Sequence, residues 1–341
     1  MLRRMKISLV MLAILISTSL AITTACGSSD SDTTKREIVF AGLNWDSALI
    51  QNGVARYIVY HGYGYPTSHI EGATVPLFEG LRKGDIDISM EIWLPNQDAV
   101  WDNAIKAGEV IPVGKSLEDN WQDTFLIPDY LAEANPGLKS VQDLKKDEYK
   151  SLFVEPDSGG KAVLIGCIAQ WACRGVNEGQ LEAYGLTEHV ELRDPGTMAG
   201  LNGAIEGAYK KKQPILFYYW GPTTLSHKLN MVGLEQPPIS DCSGGDPALG
   251  CGFPPAQVLI AMQTNLVTDA PELIGFFRNW DWSAENQLAA EGWHADNKDA
   301  AESSDAAYTA TAVWYLKNND GWKTWLPEDE LANVEKSLAE D

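Results

Sequence analysis

Apolar runs of strand length alternate with stretches of helical spacing along most of the chain, the pattern of an α/β protein with largely parallel sheets. REIVFAGLNW opens the body as a strand, and SALIQNGVARYIVYHG reads as the helix that follows, with Ala48, Leu49, Val54, Ile58 and Val59 near helical spacing. DIDISMEIWLP, SLFVEP, PILFYYWGP and PAQVLIAM supply further strand-length runs, and IEGAYKKKQ reads as a helix leading into the third of them. From about Pro271 onward the composition is helical, and Trp280, Trp282, Trp293, Trp314, Trp322 and Trp325 are expected there as core residues. DCSGGDPALGCGFPP, too broken by Gly, Pro and Asp to hold an element, reads as a surface loop.

Two of the strands end alike. In DIDISMEIWLP, Ile86, Ile88, Met90 and Ile92 alternate onto one face, Asp87, Ser89, Glu91 and Trp93 share the other, and Pro95 stops the ladder two residues after Trp93. Trp220 has the same place in PILFYYWGP, with Pro222 two residues on. Ligands of open α/β sheets bind beyond the carboxyl ends of the strands, so these corners either aim two indoles at such a crevice or cap the cores of their own domains. Trp45, at the end of the first strand, is a candidate further ring or an ordinary contact between domains.

The N-terminus assigns a compartment. MLRRMK is a basic n-region, ISLVMLAILISTSLAI an apolar h-region and TTAC a small-residue cleavage site, so residues 1–25 read as a lipoprotein signal peptide and Cys26 as the lipidated residue. Thr23 stands where a lipobox has an aliphatic residue, which leaves ordinary secretory cleavage as the alternative. Residues 26–36, polar and small, read as a flexible tether. Loss of the leader removes Arg3, Arg4 and Lys6 and no acidic residue, moving the formal net charge from −21 to −24. Nucleic acid and anionic lipid surfaces both reward Lys and Arg clusters that this chain lacks. No nucleic-acid partner is therefore expected, and membrane attachment is expected through the lipid anchor only.

Export also changes the reading of Cys167, Cys173, Cys242 and Cys251, which fall in two close pairs. Three connectivities are open, of which two local disulfides are the simplest. The five histidines are scattered without ligand spacing to one another or to a cysteine, so no metal site is expected. Neither HExxH nor a Ser–His–Asp or Cys–His arrangement stands out, so no catalytic residue and no cofactor is expected, with an exported hydrolase as the weaker alternative.

GGKAVLIGCIAQWACRGVNEGQLEAYGL, FYYWGPTTLSHKL and GDIDISMEIWLPNQD resemble the corresponding stretches of glycine betaine/proline betaine-binding proteins of ABC importers, the ProX and OpuAC kind. The likeness runs from about residue 37 to the C-terminus. It implies a two-lobed, type II periplasmic-binding-protein-like fold: lobe one at residues 37–125 plus 256–341, lobe two at 126–255, with a hinge between them and the ligand in the cleft. It implies a monomer that delivers its solute to an ABC permease. It implies, too, that Trp93, Trp171 and Trp220 box a trimethylammonium group while the backbone N–H groups of Ala172 and Cys173 take the ligand's carboxylate. Gln97 stands where some members have a histidine; its amide can donate but cannot become cationic.

The chemistry agrees. A quaternary ammonium has no N–H to donate and a diffuse charge wrapped in methyl groups, so aromatic faces must hold it. Each desolvated contact is worth up to about 2 kcal/mol, and three rings with apolar burial approach the roughly 8 kcal/mol of micromolar binding. Closing the loop from Cys167 to Cys173 gains only about 2 kcal/mol, so its value lies in fixing Trp171 and aiming the amides behind it. Glu91 shares the strand face of Trp93; near the ligand it would repel a betaine carboxylate and attract choline. Choline, carnitine and trimethylamine N-oxide are thus alternative solutes, and a sugar, stacked on the same rings, is a weaker one.

Overall fold

The structure, a computed structural model, describes residues 35–118 and 120–340; the signal peptide, Cys26 and most of the tether lie outside the described residues. Two five-stranded sheets form the frame. The first runs β2 (Thr67–Gly72), β1 (Ile38–Leu43), β3 (Ile88–Leu94), β10 (Gln257–Gln263), β4 (Val110–Leu117). The second runs β7 (Val190–Arg193), β6 (Ala162–Ile165), β8 (Leu216–Gly221), β5 (Trp121–Pro128), β9 (Met231–Gly233). The chain thus passes from the first sheet to the second between Leu117 and Trp121, and returns between Gly233 and Gln257.

Largely parallel sheets were the expectation, and the sheets are mixed. β1 pairs in parallel with β2 and β3, and β6 with β7 and β8, but β10 is antiparallel to β3 and β4, and β5 to β8 and β9. The physical reason lies in the connections. A parallel neighbour needs a crossover, usually a helix, on one face of the sheet, whereas β5 and β10 enter their sheets straight from the other half of the molecule and run in reversed.

SLFVEP is not a strand. Ser151–Phe153 forms a 3-10 turn that buries Phe153, and Val154 makes a single bridge to Ala162. Gly159 and Gly160, at φ 62° and 83°, then turn the chain into β6, whose four residues AVLI carry the ladder instead. The loop from Ile239 to Leu249 holds three 3-10 turns, and Cys242 is joined to Cys251 across it.

The helix Asp46–His61 follows β1 and packs on the helix Ser304–Asn318, near the C-terminus. A Cβ at Gly53 would lie 2.8 Å from the carbonyl oxygen of Tyr308, so glycine permits the close approach. Trp280, Trp282, Trp322 and Trp325 are buried beside these helices, and Trp293 stacks on Trp314 with centroids 5.4 Å apart. No helix among the described residues is long and apolar enough to cross a membrane.

Candidate functional site

Both Trp-x-Pro corners form as the sequence predicts. Trp93 is the next-to-last residue of β3 and Trp220 the next-to-last of β8, and each strand runs into a cis peptide, Leu94–Pro95 and Gly221–Pro222. Trp45 leaves the end of β1 and caps the helix Asp46–His61 in extended conformation, φ −143°. Trp171 sits in the loop closed by Cys167 and Cys173, just after Gln170, which holds a left-handed φ of 71°. From these four separate places the indoles converge on one cleft.

Trp45 meets Trp171 edge to face at 5.0 Å between centroids, and Trp171 meets Trp220 likewise at 5.3 Å. Trp93, Gln97, Ala172 and Cys173 line the same space, together with Thr74, Asn96 and Tyr218. The space among these side chains that protein atoms leave unfilled is about 350 Å³, open solvent at the mouth included. Of the three residues that sequence reasoning missed, Tyr218 was legible, since strand alternation puts it on the face of Trp220. Thr74 and Asn96 carry no such signal.

Glu91 lies elsewhere than expected: it does not line the cleft but sits behind its wall, 1% exposed. Oε2 accepts from the indole nitrogens of both Trp45 and Trp93, at 2.8 Å each. Oε1 accepts from Ser47 Oγ at 2.8 Å and Gln51 Nε2 at 2.9 Å. The orientation of the Gln51 amide follows from Trp280, whose donor-only indole N–H reaches Gln51 Oε1 at 3.2 Å, beside Ser116 Oγ at 3.0 Å. Burial pushes the Glu91 carboxyl above the ordinary glutamate range, and the four donors offset that rise only in part. Two of the four are indoles, which can only donate, and Gln51 is turned to donate as well, so the site is built for the ionised carboxylate.

Polar groups line the same cleft. Ala172 and Cys173 begin the helix Cys173–Ala183, where the first N–H groups have no intrahelical acceptor. Gln97 is buried, and among the described residues its Nε2 has no hydrogen-bond partner, a donor left over beside the cleft.

Hydrogen bonds also tie the two sheet-bearing halves across the cleft. Trp171 Nε1 donates to Asn44 Oδ1 at 2.7 Å, Val75 N to the Gln170 carbonyl at 3.2 Å, Asn96 Nδ2 to Gln122 Oε1 at 2.9 Å, and Thr224 N to Glu291 Oε2 at 2.5 Å. The halves are therefore closed upon each other. Among the described residues no three His, Cys, Asp or Glu side chains gather as metal ligands.

The chain matches, over residues 36–311, the OpuAC family, described as the substrate binding domain of ABC-type glycine betaine transport systems. It is similar to the trimethylamine N-oxide-binding protein of Pelagibacter ubique, 23% identical over 316 residues that cover 86% of this chain and 97% of that one. It is 28% identical over 164 residues to the glycine betaine/proline betaine-binding periplasmic protein of Escherichia coli, a match covering 47% of this chain and 48% of that protein. An ABC-transporter choline binding protein in complex with choline has the same fold, with a TM-score of 0.71 at 20% identity over 89% of this chain and 98% of that one. So does the glycine betaine/L-proline-binding ProX of Borrelia burgdorferi, with a TM-score of 0.69 at 20% identity over 87% and 99%.

Proposed function

The chain belongs to the OpuAC family of substrate-binding domains of ABC-type glycine betaine transport systems, and within that family we propose that it captures a methylated ammonium solute in a cage of four tryptophans. Trp45, Trp93, Trp171 and Trp220 wrap the trimethylated head, while Gln97 Nε2 and the amides of Ala172 and Cys173 take the oxygen end. The observation that carries this reading is the convergence of four indoles on one cleft that Gln97, with a buried amide donor to spare, also lines. A primary ammonium entering the cage would lose its hydrogen bonds to water and regain none there, so the cage discriminates by methylation as well as by charge.

Glycine betaine or proline betaine is the solute this arrangement fits first, because a carboxylate can use the amides and Gln97 together. Trimethylamine N-oxide is the second reading, supported by the likeness to the Pelagibacter ubique protein along nearly its whole length. The protein is a binding component rather than an enzyme, exported, held to the membrane by a diacylglyceryl group on Cys26, and docked as a monomer on a permease. The lobes follow the sheets: one carries β1–β4, β10 and the C-terminal helices, the other β5–β9. Ligand that touches both lobes only when they are closed shifts the population to the closed form.

Calorimetric titration of the purified protein with glycine betaine, proline betaine, carnitine, choline, trimethylamine N-oxide, glycine and a sugar panel tests the reading. Methylated ammonium compounds should bind, and glycine, with its carboxylate but no methyl groups, should not. Binding of a sugar alone, or of none of the methylated compounds, would overturn it.

A further inference from the structure

The two oxygens of Glu91 are occupied by four donors, and two of those donors are walls of the cleft. The carboxylate grips Trp45 and Trp93 by their N–H edges, which leaves their faces free to meet a ligand. An indole whose N–H points at an anion carries more negative potential on its π face, because the N–H bond polarises toward the acceptor and pushes density into the ring. The faces that would hold a cation are thereby strengthened, and a full negative charge stands just behind them in a medium with little water to screen it.

We propose that Glu91 sets the charge selectivity of the cage: through its hydrogen bonds to Trp45 and Trp93 it makes the rings favour a cationic head over a neutral one of the same shape. Glu91 is a positioning and charge-setting residue that touches no ligand. The inference rests on the four-tryptophan reading and adds to it the source of discrimination between trimethylammonium and tert-butyl groups, which differ in charge and hardly in size. Apolar burial alone would not separate them.

The test compares each solute with its carbon isostere: glycine betaine with 3,3-dimethylbutanoate, choline with 3,3-dimethylbutan-1-ol, trimethylamine N-oxide with tert-butanol. Calorimetry or competition on the full mature protein gives the ratio of affinities within whichever pair binds. Glu91→Gln should lower that ratio on the order of tenfold. Glu91→Asp, which keeps the charge on a shorter arm, should keep the ratio within about threefold of the unaltered protein even where both affinities fall. A purely structural role would weaken both members of a pair alike and leave the ratio unchanged in Glu91→Gln, which overturns the proposal. So does a ratio that collapses in Glu91→Asp, the arm that decides the matter should Glu91→Gln fail to fold. If the unaltered protein binds no methylated ammonium compound, the cage reading itself fails and this inference with it; if it binds them and the ratios do not move, only the role of Glu91 is lost.

Discussion

Trp45 and Trp93, on the half built around the first sheet, hang by their N–H edges from one buried carboxylate, whereas Trp171 sits in a disulfide-closed loop and Trp220 lies 5.9 Å from the ring of Tyr218 on its own strand. Both halves contribute indoles to the same cleft, by different means. The carboxylate orients rings and adds charge, but it must remain ionised in a buried place. The staple orients a ring through the backbone and adds no charge, but it must remain oxidised. One wall therefore answers to protons and the other to reductant, so the two can be perturbed separately.

The largest effect on affinity should come from deleting one ring on each side. Trp93→Ala and Trp171→Ala should each weaken binding of the methylated solute by about 1 to 3 kcal/mol, the lost cation–π and burial contributions together, read by calorimetry. The double variant sharpens the comparison, since rings sharing one cation should be non-additive. Equal affinity in either single variant would remove that residue from the cage.

Protons come next. Glu291, on the helix Ala284–Asn297, is pushed up to about 7, chiefly by burial and further by the nearby charge of Asp46, against the bonds from Thr224 N and Gln287 Nε2. Its folded pKa lies above the ordinary glutamate value, so the native state binds the proton more tightly. That preference stabilises the fold at acid pH and is lost as pH rises from about 4.5 through about 7. Relative to Glu291→Gln, the unaltered protein should lose on the order of 2 kcal/mol of unfolding free energy across this window. Parallel pH profiles of chemical denaturation for the two proteins would show that Glu291 is not the source.

Loss of the staple should weaken binding in a protein that stays folded. Cys167→Ser combined with Cys173→Ser should reduce affinity roughly threefold to tenfold, on the order of 1 kcal/mol, and leave the thermal midpoint changed by only a few degrees. Reductant should reproduce the loss of affinity in the unaltered protein, and any further loss it causes in the double variant belongs to Cys242–Cys251. The smallest effect is expected at Asn44. Asn44→Ala removes the acceptor for Trp171 Nε1 across the cleft and should cost about 0.5 kcal/mol in affinity, the low end for one hydrogen bond. Circular dichroism alongside calorimetry separates this cost from misfolding.

Much of the lining of the cleft was legible in the sequence. Trp93 and Trp220 announce themselves by strand alternation followed by proline, and Trp171 by the cysteines six residues apart that bracket it. Trp45, readable only as an indole at the end of a strand, proves to line the cleft. Glu91 was legible as a neighbour of Trp93 on one strand face, yet its position behind the wall was not, because Ser47 and Gln51 reach it from a helix more than thirty residues away in sequence. SLFVEP misled for a related reason: its apolar residues fill a core from a 3-10 turn, and burial alone does not distinguish that from a strand.

The chain by itself determined its local units: strands stopped by proline, helices at their spacing, loops closed by near cysteines, and a strongly acidic composition. These depend on residues a few positions apart, where geometry is set by bond angles and side-chain period. Tertiary structure alone decided the direction of β5 and β10, the pairing of Trp171 with Asn44 across 127 positions, and the bond from Trp280 to Gln51 across 229. Such contacts depend on how two sheets close on each other. A buried carboxylate becomes a hub only when that closure brings enough donors to replace the water it has lost.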